Sequence, residues 1–389
     1  MLRDRTAIVG LGQTSFAKQL AESETEIAAQ AVLAALDDAK ISPDEVDGLV
    51  SYTIETTSDV DLARNLGFGE IGFFAQVGYG GGAGCGAVGL AAMAVASGQC
   101  RVAVAWRSRK RGGAATRPWV QAGLGVPEAP GGIPRVTDWY RAAGMLRPVD
   151  QIAMLARRYM HEFGATRDHL ANVALAARAH ANRNPNAVMH DRPLTRDEYM
   201  DSRWISEPLC IFDNCLESDG ALAVVVTSAE RAKDGPHPPA YIHAYGQGFA
   251  GQDEVMTNFH SADPLRAQSW SCADVLWRQA EVGPADVDVV QLYDAFTPMV
   301  VLALEGYGFC GRGEGAAFTE DGRIAWPDGK LPINTSGGGL SEAYVHGFNL
   351  ILEGVRQVRG TSTCQVSDAQ FSLVTSGEGV PTSALLLRG

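Results

Sequence analysis

"AVLAALDDAKISPDEVDGLVSY" (Ala31–Tyr52) decides how this chain is organised, because a second stretch repeats it. "DVLWRQAEVGPADVDVVQLY" (Asp274–Tyr293) has the same order of parts: helix, proline-initiated acidic turn, Val-Asp, apolar strand, tyrosine. The prolines at 43 and 284, the aspartates at 47 and 288 and the tyrosines at 52 and 293 all stand 241 positions apart. Each copy then reaches a glycine cluster that opens an apolar stretch, "GYGGGAGCGAVGLAAMAVASG" in one and "NTSGGGLSEAYVHGFNLILEG" in the other. Two matches in the same order indicate an internal duplication. Strands alternate with helices in both copies, which predicts an α/β fold of two similar halves. The expected halves are 1–245, carrying an inserted region at about 107–205, and 246–389.

Composition narrows the function. A net charge of −13 excludes a nucleic-acid partner, since a phosphate backbone demands a basic surface. Seven cysteines without regular spacing read as reduced thiols. Cys210, Asp213 and Cys215 lack the further ligands a metal set needs. The opening "MLRDRTAIVGLG" is a charged lead into a strand and not a signal peptide, so a cytoplasmic protein is expected. Residues 71–100 carry no charge, but glycines interrupt them. The helical part, about 83–97, is short and rich in small residues, which predicts a helix buried on all sides and not a membrane span. Gly10 and Gly12 lack the third glycine of a dinucleotide fingerprint and read as a strand–helix turn. Trp106 to Asp150 reads as a long loop of the kind that forms lids. Its basic run of Arg107, Arg109, Lys110 and Arg111 is either a solvated loop or an attractor for CoA phosphates or an acidic partner.

Glycine clusters that open helices present free N–H groups and a positive dipole end. Two of them related by duplication should converge on a thioester oxygen or an enolate.

These residues carry a family likeness. The chain resembles the thiolase superfamily over nearly its whole length, and its middle segment, "YMHEFGATRDHLANVALAARAHANRNPNA" with "PLCIFDNCLESDGALAVVV", is typical of the sterol-carrier or lipid-transfer branch. The resemblance implies a layered αβαβα arrangement and a homodimer. It also exposes substitutions. The family's nucleophilic cysteine corresponds to Gly81 in "GGAGCGAV", and Cys85 lies four residues beyond it and reads as a buried small thiol. The Asn-Glu-Ala-Phe motif is "YDAF" here, so its first polar residue is Tyr293. The Gly-His-Pro histidine corresponds to Tyr344, and the second catalytic cysteine to Thr375 ahead of "GEG".

Without a nucleophile, Claisen thiolysis has no covalent step. Retro-aldol cleavage of a β-hydroxyacyl-CoA needs none: a base, an acid and an oxyanion hole suffice. Tyr344 and Tyr293 are the expected catalytic pair, and Gly81, Gly82, Gly338, Gly377 and Gly379 the expected thioester cradle, with His346, Asp294 and Thr375 behind them. Placed on the first turn of a helix, Tyr344 would have its phenol lowered by about one pKa unit. That is too little for a resting phenolate, so a relay through Tyr293, His346 or water is expected. On such a helix His346 would point away from Tyr344.

The pattern is most similar to thiolase-like aldolases of bacterial steroid side-chain degradation. That resemblance implies a steroid-CoA with a tertiary hydroxyl beside the thioester-bearing carbon, and androstenedione and propionyl-CoA as products. It implies no prosthetic group, CoA being part of the substrate, and a small partner with zinc-ribbon and OB-fold domains. The alternatives are a non-catalytic acyl-CoA or sterol-binding protein of the same fold, and a true thiolase using Cys85.

Overall fold

The computed structural model describes residues 2–110, 142–145, 147–251, 256, 258–259 and 261–389. Arg111 and most of the expected lid loop lie outside them. In chain order the principal elements are β1 (Thr6–Gln13), α1 (Glu24–Ala39), β2 (Gly48–Tyr52), α2 (Asp59–Leu66), β3 (Phe73–Val77), α3 (Ala83–Ala96), β4 (Val102–Arg109), α4 (Pro148–Phe163), α5 (Arg167–Ala181), β5 (Trp204–Ser206), β6 (Leu209–Cys210), β7 (Gly220–Ser228), β8 (Ala240–Gly248), α6 (Gln268–Ala280), β9 (Val289–Gln291), α7 (Thr297–Gly306), α8 (Phe348–Arg359), β10 (Phe371–Ser376) and β11 (Thr382–Arg388).

Nine strands form one mixed sheet in the order β3-β2-β4-β7-β1-β8-β11-β10-β9. Read outward from the middle, β1-β7-β4-β2 and β8-β11-β10-β9 are the same arrangement: the first strand of each half, its last, the one before the last, and the second, with β3 added outside β2 in the first half. Within the sheet the halves are joined by β1 and β8, which pair at Ala7↔Tyr241 and Ile8↔Ala240. The second set of strands begins at Ala240, so a boundary at 245/246 cuts through β8. The helix α3 touches strands of both halves, as does α8, whereas α1 lies on β1, β7 and β4 and α6 on β8 and β11. The layers therefore run helix, half-sheet, α3 with α8, half-sheet, helix.

Local chemistry explains these elements. Ser23 caps α1 by accepting from Glu26 N at 3.1 Å, and Lys40 closes it in the left-handed region. The face that packs on β1 is Ile27, Ala28, Ala31, Val32 and Ala35, with Ala34 turned to solvent. Gly10 and Gly12 belong to β1 itself and not to a turn. A Cβ at Gly12 would stand 1.9 Å from Ala31 O, so these glycines exist to let helix and strand touch. In α3, eleven of fourteen residues are buried. Its small residues admit large neighbours: a Cβ on Gly89 would fall 2.3 Å from the Tyr245 ring. No described helix is long and apolar enough to cross a membrane.

The strand β4 runs three residues further than the sequence suggested, through Arg107, Ser108 and Arg109. It can do so because β7 pairs with it along its full length, to Arg109↔Gly220.

Candidate active site

Tyr293 lies two residues past the short strand β9, and the loop from Asn334 holds it there. The Asn334 side chain accepts from Leu292 N at 2.7 Å and donates to Leu292 O at 2.9 Å, acting as one more strand partner. On the other side Thr375 Oγ1 accepts from Tyr293 N at 2.9 Å. Tyr344 is fixed likewise: its N–H donates to Ser218 Oγ at 2.8 Å. Ser218 is fully buried and was not singled out from the sequence, where it falls within the segment "PLCIFDNCLESDGALAVVV".

The two hydroxyls meet. Tyr293 and Tyr344 share an OH···OH hydrogen bond, with ring centroids 6.1 Å apart. Burial above all, and then the neighbouring Tyr344, push the Tyr293 phenol well above its ordinary value. Tyr293 is therefore a neutral phenol at physiological pH.

Gly81 lies directly under this pair. A Cβ at Gly81 would stand 1.9 Å from Tyr293 Oη and 2.4 Å from Cζ. The space of a nucleophile's side chain is thus filled by the Tyr293 hydroxyl, and the two are mutually exclusive. Gly347 serves the same ring from the opposite side, where a Cβ would fall 2.7 Å from Cδ2.

The glycine clusters differ from expectation. Gly338–Glu342 form a single wide turn with π-type bonding, and the helix α8 starts only at Phe348 after Gly347 in the left-handed region. Tyr344 therefore precedes the helix instead of standing on its first turn. Between Ala343 and Gly347 the chain is extended and then reverses at His346, φ 51°. This reversal swings His346 back beside Tyr344, with ring centroids 5.4 Å apart at 72°, where an ideal helix would have separated them.

The Gly338 turn also spends its N–H groups on the protein. Gly339 N donates to Asp294 Oδ1 at 2.7 Å and Leu340 N to Oδ2 at 3.3 Å. Burial pushes the Asp294 carboxyl up to about 6 against these donors. The guest of this cradle is Asp294, and a Cβ at Gly338 would meet that carboxylate at 2.2 Å. Gly379 is occupied too, its N–H donating to Gln268 Oε1 at 3.0 Å, and Gly82 N donates to Tyr79 O at 3.0 Å. What the halves do bring together is Gly82 and Gly377. A Cβ on Gly377 would stand 2.7 Å from Gly82 Cα, beside Gly81 and the tyrosine pair.

Cys85 faces away from this chemistry. It is fully buried, its Sγ donates to Val374 O at 3.4 Å, and burial pushes the thiol up to about 12. Iodoacetamide should leave activity intact, because so little thiolate exists and none is accessible. Rapid inactivation mapped to Cys85 by peptide mass spectrometry would contradict this.

Two members of the basic run are engaged inside the protein. Arg107 is fully buried and ion-paired with an equally buried Glu55, Nη1 to Oε2 at 2.9 Å. Lys110 donates to Leu20 O and Glu22 O, tying β4 to the chain before α1. Neither is placed to meet a CoA phosphate. Asp213 accepts from Tyr199 Oη and Thr297 Oγ1, both at 2.6 Å, and no group of three or more metal-type ligands occurs among the described residues.

Residues 256–387 match the thiolase C-terminal domain-like family. The whole chain is 45% identical, over 388 residues and 98% of the relative, to the steroid side-chain-cleaving aldolase of Thermomonospora curvata. It is also 45% identical, over the full length of both, to the 17-hydroxy-3-oxo-4-pregnene-20-carboxyl-CoA lyase of Mycobacterium tuberculosis. The solved structure of an Ltp2-ChsH2(DUF35) aldolase superposes with a TM-score of 0.94 at 44% identity, covering 100% of this chain and 99% of that one. Human mitochondrial 3-ketoacyl-CoA thiolase shares the fold, at a TM-score of 0.67 and 15% identity.

Proposed function

Since the chain belongs to the thiolase-fold aldolases that cleave steroid side chains, we propose that Tyr293 and Tyr344 form a neutral proton relay for retro-aldol cleavage of a steroid β-hydroxyacyl-CoA. The substrate is of the 17-hydroxy-3-oxo-pregnene-20-carboxyl-CoA type. The carbon bearing the tertiary hydroxyl becomes the ring ketone of androstenedione, and the Cα–Cβ electron pair passes into the thioester enolate. The enolate takes a proton at Cα and leaves as propionyl-CoA. One proton moves from oxygen to carbon, and neither water nor free CoA is consumed.

The observation that carries this reading is the shared OH···OH bond beside Gly81. A phenol oxygen can accept and donate at once. One hydroxyl accepts the substrate's proton while the other delivers its own to Cα, so no resting phenolate is required. The difficulty posed by a phenol pKa near 10 is removed by the pairing. The backbone of Gly81 and Gly377 beside the tyrosine pair is the place we assign to the thioester oxygen, the Gly82 N–H being already given to Tyr79 O.

CoA enters and leaves as part of substrate and product, and the scheme uses no prosthetic group. We further propose a cytoplasmic homodimer in complex with a small partner bearing OB-fold and zinc-ribbon domains. A dimer is supported by β3, the outermost strand of the sheet among the described residues, where Phe74 is 71% exposed and nearby Tyr79 60%. The partner is supported by the complex in which the similar aldolase was solved. The test is one preparation: the protein co-purified from its host, its mass measured in solution, then given the steroid β-hydroxyacyl-CoA without added CoA. A free ring ketone and propionyl-CoA in equal amounts are expected. Tight acyl-CoA binding with no cleavage would favour a lipid-binding role instead.

A further inference from the structure

Behind Tyr344 lies a buried charge that the reaction scheme does not use. Arg107 on β4 is fully buried and donates to His346 Nδ1 twice, from Nε at 3.1 Å and from Nη2 at 3.0 Å. Its third contact is Nη1 to Glu55 Oε2, and its guanidinium lies 5.3 Å over the Tyr52 ring. Glu55 is held in turn by Ser108 N at 2.8 Å and Ser108 Oγ at 2.5 Å. Tyr52 donates to His346 O at 3.3 Å, and it is the residue that the internal repeat pairs with Tyr293.

A guanidinium carries donors only and stays charged in proteins. An imidazole nitrogen facing two of its N–H groups must therefore offer a lone pair. The ring of His346 then has its proton on Nε2 and cannot take a second one on Nδ1 without facing a buried cation. Among the described residues, the charged and titratable groups around the ring include Arg107 and Glu55 from β4 and the turn after β2, Tyr52 from the end of β2, and Tyr344 from its own segment.

We infer that Arg107 is a positioning residue that locks His346 as a neutral Nε2–H imidazole against Tyr344, so that the tyrosine relay works beside a fixed donor whose charge does not change with pH. The buried pair sets the state of a ring in contact with the relay, where a salt bridge of purely structural purpose would leave that ring free to titrate. This inference rests on the relay reading, but its first test does not.

The first test is 15N NMR of the protein labelled at histidine ring nitrogens, with the signals assigned through His346→Asn. Asparagine tolerates the left-handed backbone at this position, and its Oδ1 can take the bonds from Arg107. Expected is an unprotonated Nδ1 and a protonated Nε2 throughout about pH 5.5 to 8.5. A ring that titrates near the ordinary value of about 6.5, or one protonated at Nδ1, overturns the inference. The second test is the pH dependence of kcat. Arg107→Gln removes the cation, and its profile should gain an acidic limb near pH 6 to 6.5, about where a free imidazole charges. Arg107→Lys keeps a cation in place and should lack that limb. An Arg107→Gln profile with the wild-type shape overturns the inference even if kcat falls. Should that variant not fold, the labelled wild-type protein decides alone. Absence of any cleavage by wild-type protein would sink the relay reading and leave the tautomer result standing.

Discussion

Tyr293→Phe and Tyr344→Phe should each lower kcat by about 10²–10⁴-fold, the range for losing an acid–base group, with KM little changed. Each removes one oxygen from a two-oxygen relay, so the proton loses its oxygen-to-oxygen path from the substrate hydroxyl to Cα. Folding should survive, because the rings stay packed and the backbones stay fixed by Thr375, Asn334 and Ser218. The double variant should be little worse than either single one, as is usual for groups that act as a unit. Steady-state release of propionyl-CoA measures this. A single variant that keeps more than about half of the wild-type kcat would remove that tyrosine from the mechanism.

Gly81→Cys, which restores the residue of true thiolases, should abolish cleavage and yield no thiolase. Its Cβ would sit 1.9 Å from Tyr293 Oη, 2.4 Å from Cζ and 3.0 Å from Cε2. The obstacle is a packed ring and not a flexible tip, so the ring must leave Tyr344. Overpacking of this kind costs about 1–3 kcal/mol or more, and the broken relay should lower kcat at least about 10²-fold. No acyl adduct should appear on the protein by mass spectrometry. Gly81→Cys combined with Tyr293→Ala clears the space, and only this pair should let the new thiol be labelled. A Gly81→Cys variant with near wild-type aldol cleavage would show that the glycine and the tyrosine hydroxyl do not compete.

Part of the site could be read from residue types and order. Tyr293 and Tyr344 occupy the positions where relatives place other chemical groups, and Gly81 stands where a nucleophile would be. The internal repeat also pointed at Tyr52, since the offset of 241 makes it the counterpart of Tyr293. That signal was available for a residue whose hydroxyl does reach the His346 carbonyl. Other assignments failed for identifiable reasons. Gly338 and Gly379 were read as donors to substrate, but donors are assigned by what lies opposite them. Opposite Gly339 and Gly379 stand the carboxylate of Asp294 and the amide of Gln268, far away in sequence. Arg107 was read with its neighbours as a basic run. A run of charges says nothing about which of them is enclosed, and alternation along β4 sends Arg107 inward to Glu55.

By itself the sequence determined the duplicated α/β architecture and the buried small-residue helix α3, which follow from local propensity, periodicity and a repeat; its resemblance to the thiolases singled out the two tyrosines. Only the tertiary structure decided that the hydroxyls touch, that the Tyr293 side chain fills the vacancy at Gly81 and that His346 faces Tyr344. Each of these depends on a backbone reversal or on a contact between segments more than 50 residues apart, such as the bond between Tyr293 and Tyr344, separated by 51 positions, and that from Arg107 to His346, separated by 239. Such contacts are fixed by how the two halves of the sheet close around α3 and α8, because leaving a polar group buried at that seam without a partner is costly.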